Sequence, residues 1–154
     1  MAASNVLTLD LATFSAPSGW HVEERGAGAG RHVVVSKATP GSYCMAVVYT
    51  SAAAGRDLEA SFTSEWTRTA LQTLAPVATP RVVVREVGSL RVAIGAAPST
   101  AQGQPIGGLL IVVDAGARVV SILVLSPSFD SLDPFRAEVD TILGTLAVRR
   151  VEAG

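Results

Sequence analysis

Charge and cysteine are scarce in this sequence. Only 16% of its 154 residues are charged, and Cys44 is the single cysteine. One thiol cannot close an intramolecular disulfide, so a disulfide-stapled scaffold is excluded. Twelve basic and thirteen acidic side chains nearly cancel. Lys37 is the one lysine, and the arginines are scattered from Arg25 to Arg150 with no run of like charge. Such scatter leaves no electrostatic footprint for nucleic acid and no polybasic patch for a membrane surface. Walker, Gly-x-Ser-x-Gly, Cys-x-x-Cys and His-Glu-x-x-His sequences are all missing. Long apolar runs are missing too. The longest, Leu109–Val113 and Val119–Leu125, are far too short to span a bilayer as a helix. The opening "MAASNVLTLD" has neither the basic nor the apolar region of a leader. The expectation is a cytoplasmic protein with no membrane span. An envelope location follows instead if a leader precedes Met1.

What the chain does have is apolar content, 49% of its residues. At this length that is enough for one domain with a real core. The expected division is a flexible N-terminus over 1–6, a single domain over 7–148, and a tail over 149–154. Trp20–Glu24 and Arg31–Lys37 read as strands joined by the glycine-rich "RGAGAG". "SYCMAVVYT" is a further strand, rich in β-formers. Across Arg56–Ala75 the period changes. Leu58, Phe62, Trp66, Ala70 and Leu74 recur every four residues and form one helical stripe. Gly55 and Asp57 suit its start, Glu59 suits the positive end of its dipole, and Pro76 stops it.

"RVVVREV" and "LRVAIGA" follow, separated by Gly88-Ser89, where a glycine first in a two-residue connection suits a tight hairpin. "IGGLLIVVD" and "RVVSILVLS" form the next hairpin, turning at Ala115-Gly116-Ala117. Asp130 or Ser131 is placed to cap a last helix, with Asp133 and Pro134 in its first turn and an apolar stripe of Phe135, Val139, Ile142, Leu143 and Leu146. Connections this short forbid parallel crossovers. The fold class is therefore α+β: a single antiparallel sheet of about six to seven strands flanked by two main helices, an α/β/α sandwich. "LLIVV" and "VVSILVL" lack apolar/polar alternation, so both faces of these strands need covering, by helices or by a partner.

Few residues are arranged for chemistry. If the first hairpin pairs Glu24 with Arg31, then Glu23 faces His32, and His21 faces Val34 on the same side of the sheet. Two imidazoles and a carboxylate are competent metal ligands, while a one-residue slip sends His32 to the other face. His21, Glu23 and His32 are thus the ligand set to test, beside the plainer reading of a solvated hairpin face. No cofactor and no catalytic residue are expected. Cys44 reads as a small buried hydrophobe. "GAGAGR" is followed by the β-branched run "HVVVS" rather than a helix, so it is a loop and not a phosphate cradle. The carboxylate pairs Asp57/Glu59 and Asp130/Asp133 sit at helix starts, where the dipole alone accounts for them, and Glu23/Glu24 is a hairpin edge. Phe62 and Trp66 belong to the core. Arg81, Arg85 and Arg91 surround the Gly88-Ser89 turn. Arg85 and Arg91 are the candidate partner-binding pair if the turn puts them on one face, where an acidic partner could dock. A charged solvent edge is the plainer alternative. Trp20, after a Pro-Ser-Gly turn, reads as a strand-opening anchor whose ring packs under a helix.

The order of elements resembles the PsbP/Mog-like superfamily, which includes the bacterial DcrB-like proteins. The resemblance runs over about residues 7–148. It rests on "FSAPSGWHVEE", "VVVSKA", "CMAVVYT", the amphipathic "LEASFTSEWTRTALQTL", the hairpins "VGSLRVAIGAAPS" and "GLLIVVDAGARVVSILVLSPS", and the C-terminal helix. It implies a non-enzymatic role. Members include photosystem accessory proteins, a Ran-binding factor, bacterial lipoproteins, and chaperones of secretion effectors that hold apolar helices on the sheet surface of a dimer. The expected function is a protein-binding adaptor or chaperone with a protein partner, with a homodimer as one form it can take. The alternatives are the mature domain of an exported or lipid-anchored envelope protein, and a metal-binding protein or hydrolase using His21, Glu23 and His32.

Overall fold

A computed structural model describes residues 5–9, 11–16, 19–26, 31–40, 42–53, 57–72, 75–76, 81–101, 104–127 and 136–152. Its strands are β1 (Asn5–Leu9), β2 (Ala12–Ala16), β3 (His21–Arg25), β4 (His32–Thr39), β5 (Ser42–Ala52), β6 (Ala75–Pro76), β7 (Val83–Val87), β8 (Leu90–Ala101), β9 (Gln104–Ala115), β10 (Arg118–Ser126) and β11 (Ala147–Val148). Two helices are described, α1 (Leu58–Gln72) and α2 (Arg136–Thr145). The main sheet runs β3-β4-β5-β10-β9-β8-β6, and β7 pairs with the same outer edge of β8 as β6 does. Every pairing between named strands is antiparallel. This is the expected α+β class.

The two helices lie on opposite faces, and the strand residues alternate between them. On one face α1 buries Leu58, Phe62 and Trp66 with Ala93, Leu110, Val112, Val119 and Leu123. The Phe62 and Trp66 rings stack, with centroids 6.2 Å apart and planes 6° from parallel. On the other face α2 buries Val139, Ile142, Leu143 and Leu146 with Val33, Val35, Val48, Val113 and Ile122. Central β10 is buried on both sides from Val119 to Ser126. That explains the absence of alternation in its sequence.

A second sheet, β1-β2-β11, shares the α2 face and is not expected from the sequence. Leu9, Leu11, Ala12, Phe14 and Ala16 are buried there. β1 starts at Asn5, inside the stretch assigned to a flexible terminus. The expected tail also makes backbone bonds. Arg149 N–H donates to Leu11 O at 2.8 Å, and Val151 N–H to Ala115 O at 2.8 Å.

Several boundaries move for identifiable reasons. α1 ends at Gln72, and Ala75, expected in the helix, is paired with Thr100 in β6. β8 continues past "LRVAIGA" through Pro98, which sits opposite Gly107. There the outer edge of β8 passes from β7 to β6, so a residue with no N–H is accommodated. Asp57 caps α1 as expected, its Oδ1 accepting from Glu59 N–H at 3.1 Å. Gly88 opens its turn at φ 60°, as a first central position of a tight hairpin requires. Gly55, Leu74, Ala27–Gly30, Pro17, Asp130, Ser131, Asp133, Pro134 and Phe135 lie outside the described residues.

Candidate partner-binding face

The β3–β4 register decides the fate of the histidines. His21 is opposite Ser36, Glu23 opposite Val34, and Arg25 opposite His32. Relative to the expected register the hairpin is shifted by two residues. An even shift preserves the side of each residue, so His21, Glu23 and His32 do share one face. It does not preserve their neighbours. His21 now lies four residues along the ladder from His32, roughly 13 Å at the usual strand rise. Arg25 stands beside His32 and binds the Glu23 carboxylate at 2.8 Å. The expected ligand set is therefore not assembled. Among the described residues no three His, Cys, Asp or Glu side chains gather to hold a metal. The hydrogen bond from Arg25 holds the Glu23 carboxyl below its ordinary value; desolvation opposes this, and the charges of Arg25 and His21 add to it.

The arginine pair is separated by a similar rule. Val87 pairs with Leu90 around the two-residue turn, so Glu86 faces Arg91 and Arg85 faces Val92. Residues of opposite parity share a face across such a turn. Arg91 is consequently on the α1 face and Arg85 on the α2 face, not side by side. Arg81 is exposed. Cys44 is wholly buried in the α2-side core. Trp20 comes one residue before β3, and its ring, 5% exposed, is in the same core as the α2 stripe.

The α1 face is unevenly covered. α1 packs over β8 and β9, toward one end of the sheet. A partly buried hydrogen bond ties it to β5: Ser51 Oγ donates to Glu65 Oε1 at 2.7 Å, and Glu65 is 4% exposed. Beyond that tie, β5 presents Tyr43, Met45, Val47 and Tyr49 on the α1 face. Cys44, Ala46 and Val48 point to the other face and are fully buried. Tyr43 is 38% exposed, while Met45, Val47 and Tyr49 are half-buried. Neighbouring β4 adds Val34 and half-buried His32 and Ser36, and β3 closes the edge with exposed His21, Glu23 and Arg25. Val47 and Tyr49 pack against the α1 cluster, and Tyr43 and Met45 continue the apolar row beyond it, beside a charged edge. Sequence reasoning identifies "SYCMAVVYT" as a strand without separating its faces. The alternation is legible, but which face a helix covers is not.

No helix among the described residues is long and apolar enough to cross a membrane. A scan against family models gives no match, and a search of curated proteins gives none either. Comparison of folds does find structural neighbours. A Pseudomonas aeruginosa protein of unknown function described as a putative regulator aligns at TM-score 0.57 and 13% identity, covering 97% of this chain and all of its own. A Bacteroides thetaiotaomicron protein aligns at TM-score 0.59 and 13% identity over 91% of this chain, which spans only 46% of that one. The cyanobacterial PsbP of Synechocystis aligns at TM-score 0.57 and 15% identity, covering 96% and 94% of the two chains. At these identities the likeness is one of fold, and the architecture of this chain is PsbP-like.

Proposed function

We propose that this chain is a non-catalytic binding protein, an adaptor or chaperone whose half-covered sheet face receives an apolar segment of a protein partner. One observation carries this: on β5 the row Tyr43, Met45 and Val47 joins the α1 cluster only at Val47, leaving Tyr43 exposed and Met45 half-buried beside a fully buried opposite face. Apolar side chains next to a polar rim are the composition of an interface centre. An apolar helix laid along this strip would cover the row and leave His21, Glu23 and Arg25 at its margin. The DcrB-like and effector-chaperone relationship suggested by sequence order belongs to the same proposal.

The test is recovery of the native partner with wild-type protein and with Tyr43→Glu. Tyr43 is exposed enough for the substitution to spare the fold. A stoichiometric partner held by the wild type and released by Tyr43→Glu is the expected result. A partner retained unchanged by the variant places the interface elsewhere and overturns the assignment.

A further inference from the structure

A hollow separate from that strip lies on the opposite face, between α2 and the β7–β9 end of the sheet. Its floor is aliphatic, made by Ile94 of β8, Ile111 of β9, and Val139 and Leu143 of α2. Its volume of about 70 Å³ suits one branched aliphatic group and not a helix. Leu109 of β9 adds a further aliphatic wall, and two charged side chains complete the lining, Arg85 from β7 and Asp140 from α2, both of them exposed. Neither is in an ion pair or hydrogen bond among the described residues. Opposite charges therefore flank one apolar hollow without neutralising each other.

That arrangement selects among ligands by charge. A simple apolar acid would pair with Arg85 but meet the like charge of Asp140. A simple amine would pair with Asp140 but meet Arg85. A ligand carrying both groups satisfies both. The guanidinium fork matches a carboxylate in geometry as well as sign. The named floor residues are aliphatic, which fits a branched alkyl chain by shape. We propose that the hollow binds an aliphatic α-amino acid, with its carboxylate on Arg85, its ammonium on Asp140, and its branched side chain among Ile94, Ile111, Val139 and Leu143. Protein docking on the α1 face plays no part in this.

Isothermal titration of the full chain with L-leucine tests it, beside 4-methylpentanoate, 3-methylbutylamine and glycine. These lack the ammonium, the carboxylate and the side chain in turn. Leucine is expected to bind at one site, and each analogue at least about tenfold more weakly. Arg85→Gln should lower leucine affinity about tenfold and strengthen binding of 3-methylbutylamine, whose ammonium no longer meets a like charge; Asp140→Asn should lower leucine affinity likewise and strengthen binding of 4-methylpentanoate. Both positions are exposed, so the substitutions are expected to spare the fold, which circular dichroism of each variant checks. Absence of leucine binding at millimolar concentration overturns the proposal. So does 4-methylpentanoate binding as tightly as leucine, which would make the site one for a plain apolar acid.

Discussion

Arg25, rather than Glu23, stands opposite His32 across the β3–β4 pair. A cation beside His32 opposes a metal ion, and the same cation already occupies the Glu23 carboxylate. Titration of untagged protein with Zn²⁺ is therefore expected to give no one-to-one complex. His21→Ala and His32→Ala should each leave metal content unchanged. A stoichiometric ion lost on either substitution would contradict the register.

The same pair sets a pH dependence. The Glu23 carboxyl titrates below its ordinary value because Arg25 donates to its charged form. A depressed folded-state pKa stabilises the fold above the unfolded value, and the contribution is lost as pH falls through the folded one. The pair is solvent-exposed, so the effect belongs in the titration curve rather than in the melting temperature. Carboxyl chemical shifts followed by NMR should show Glu23 titrating at lower pH than in Arg25→Gln. Coincident curves would remove the interaction.

Gly116 and Val151 define a second close relationship. Gly116 has φ +80°, and a Cβ there would run into Val151 O of the C-terminal segment. Ala117 N–H donates to that same oxygen at 2.6 Å. Gly116→Ala thus meets both a left-handed backbone and a backbone carbonyl that is itself hydrogen-bonded. A loss of about 2 kcal/mol or more is expected in denaturant unfolding. Deleting the chain from Arg149 onward should shrink the penalty of the substitution, since the carbonyl is then gone. An equal penalty in both backgrounds would leave only the backbone strain.

Trp20 anchors the core rather than a site. It is buried in the α2-side cluster that also holds Phe14, Val35 and Ile142. Trp20→Ala is expected to cost about 3–5 kcal/mol of stability. Partner recovery at permissive temperature should persist. Unchanged stability with lost binding would reverse the assignment.

The partly buried bond from Ser51 to Glu65 holds α1 to β5. Ser51→Ala leaves a buried carboxylate short of one donor, a loss of about 1.5–3 kcal/mol for a hydrogen bond to a charged group. Glu65→Gln keeps an acceptor for the hydroxyl and should cost less. Melting temperatures of the two variants decide between them, and equal losses would show that the charge itself matters.

Much of the fold was legible in the chain. The four-residue spacing of Leu58, Phe62 and Trp66 reports a helix face, and Gly88-Ser89 reports a hairpin, because both are short-range geometry. The β1-β2-β11 sheet was harder to see. β11 is two residues long, and its partner β2 is far away in sequence. The candidate site was less legible still. Tyr43, Met45 and Val47 alternate with Cys44 and Ala46 in plain view, yet nothing local tells which set a helix covers.

The residue order by itself determined the class: apolar periods, turn residues and short connections admit an antiparallel sheet with helices and little else. Parity around the two-residue Gly88-Ser89 turn also separates Arg85 from Arg91 once Val87 is known to pair with Leu90. Only the tertiary structure decided which charges meet. Register across "RGAGAG" brought Arg25 to His32, α1 docked over β8 and β9 and left part of β5 open, and α2 carried Asp140 to the hollow that Arg85 also lines. These are contacts between residues distant along the chain. They depend on how whole faces pack, which no local period encodes.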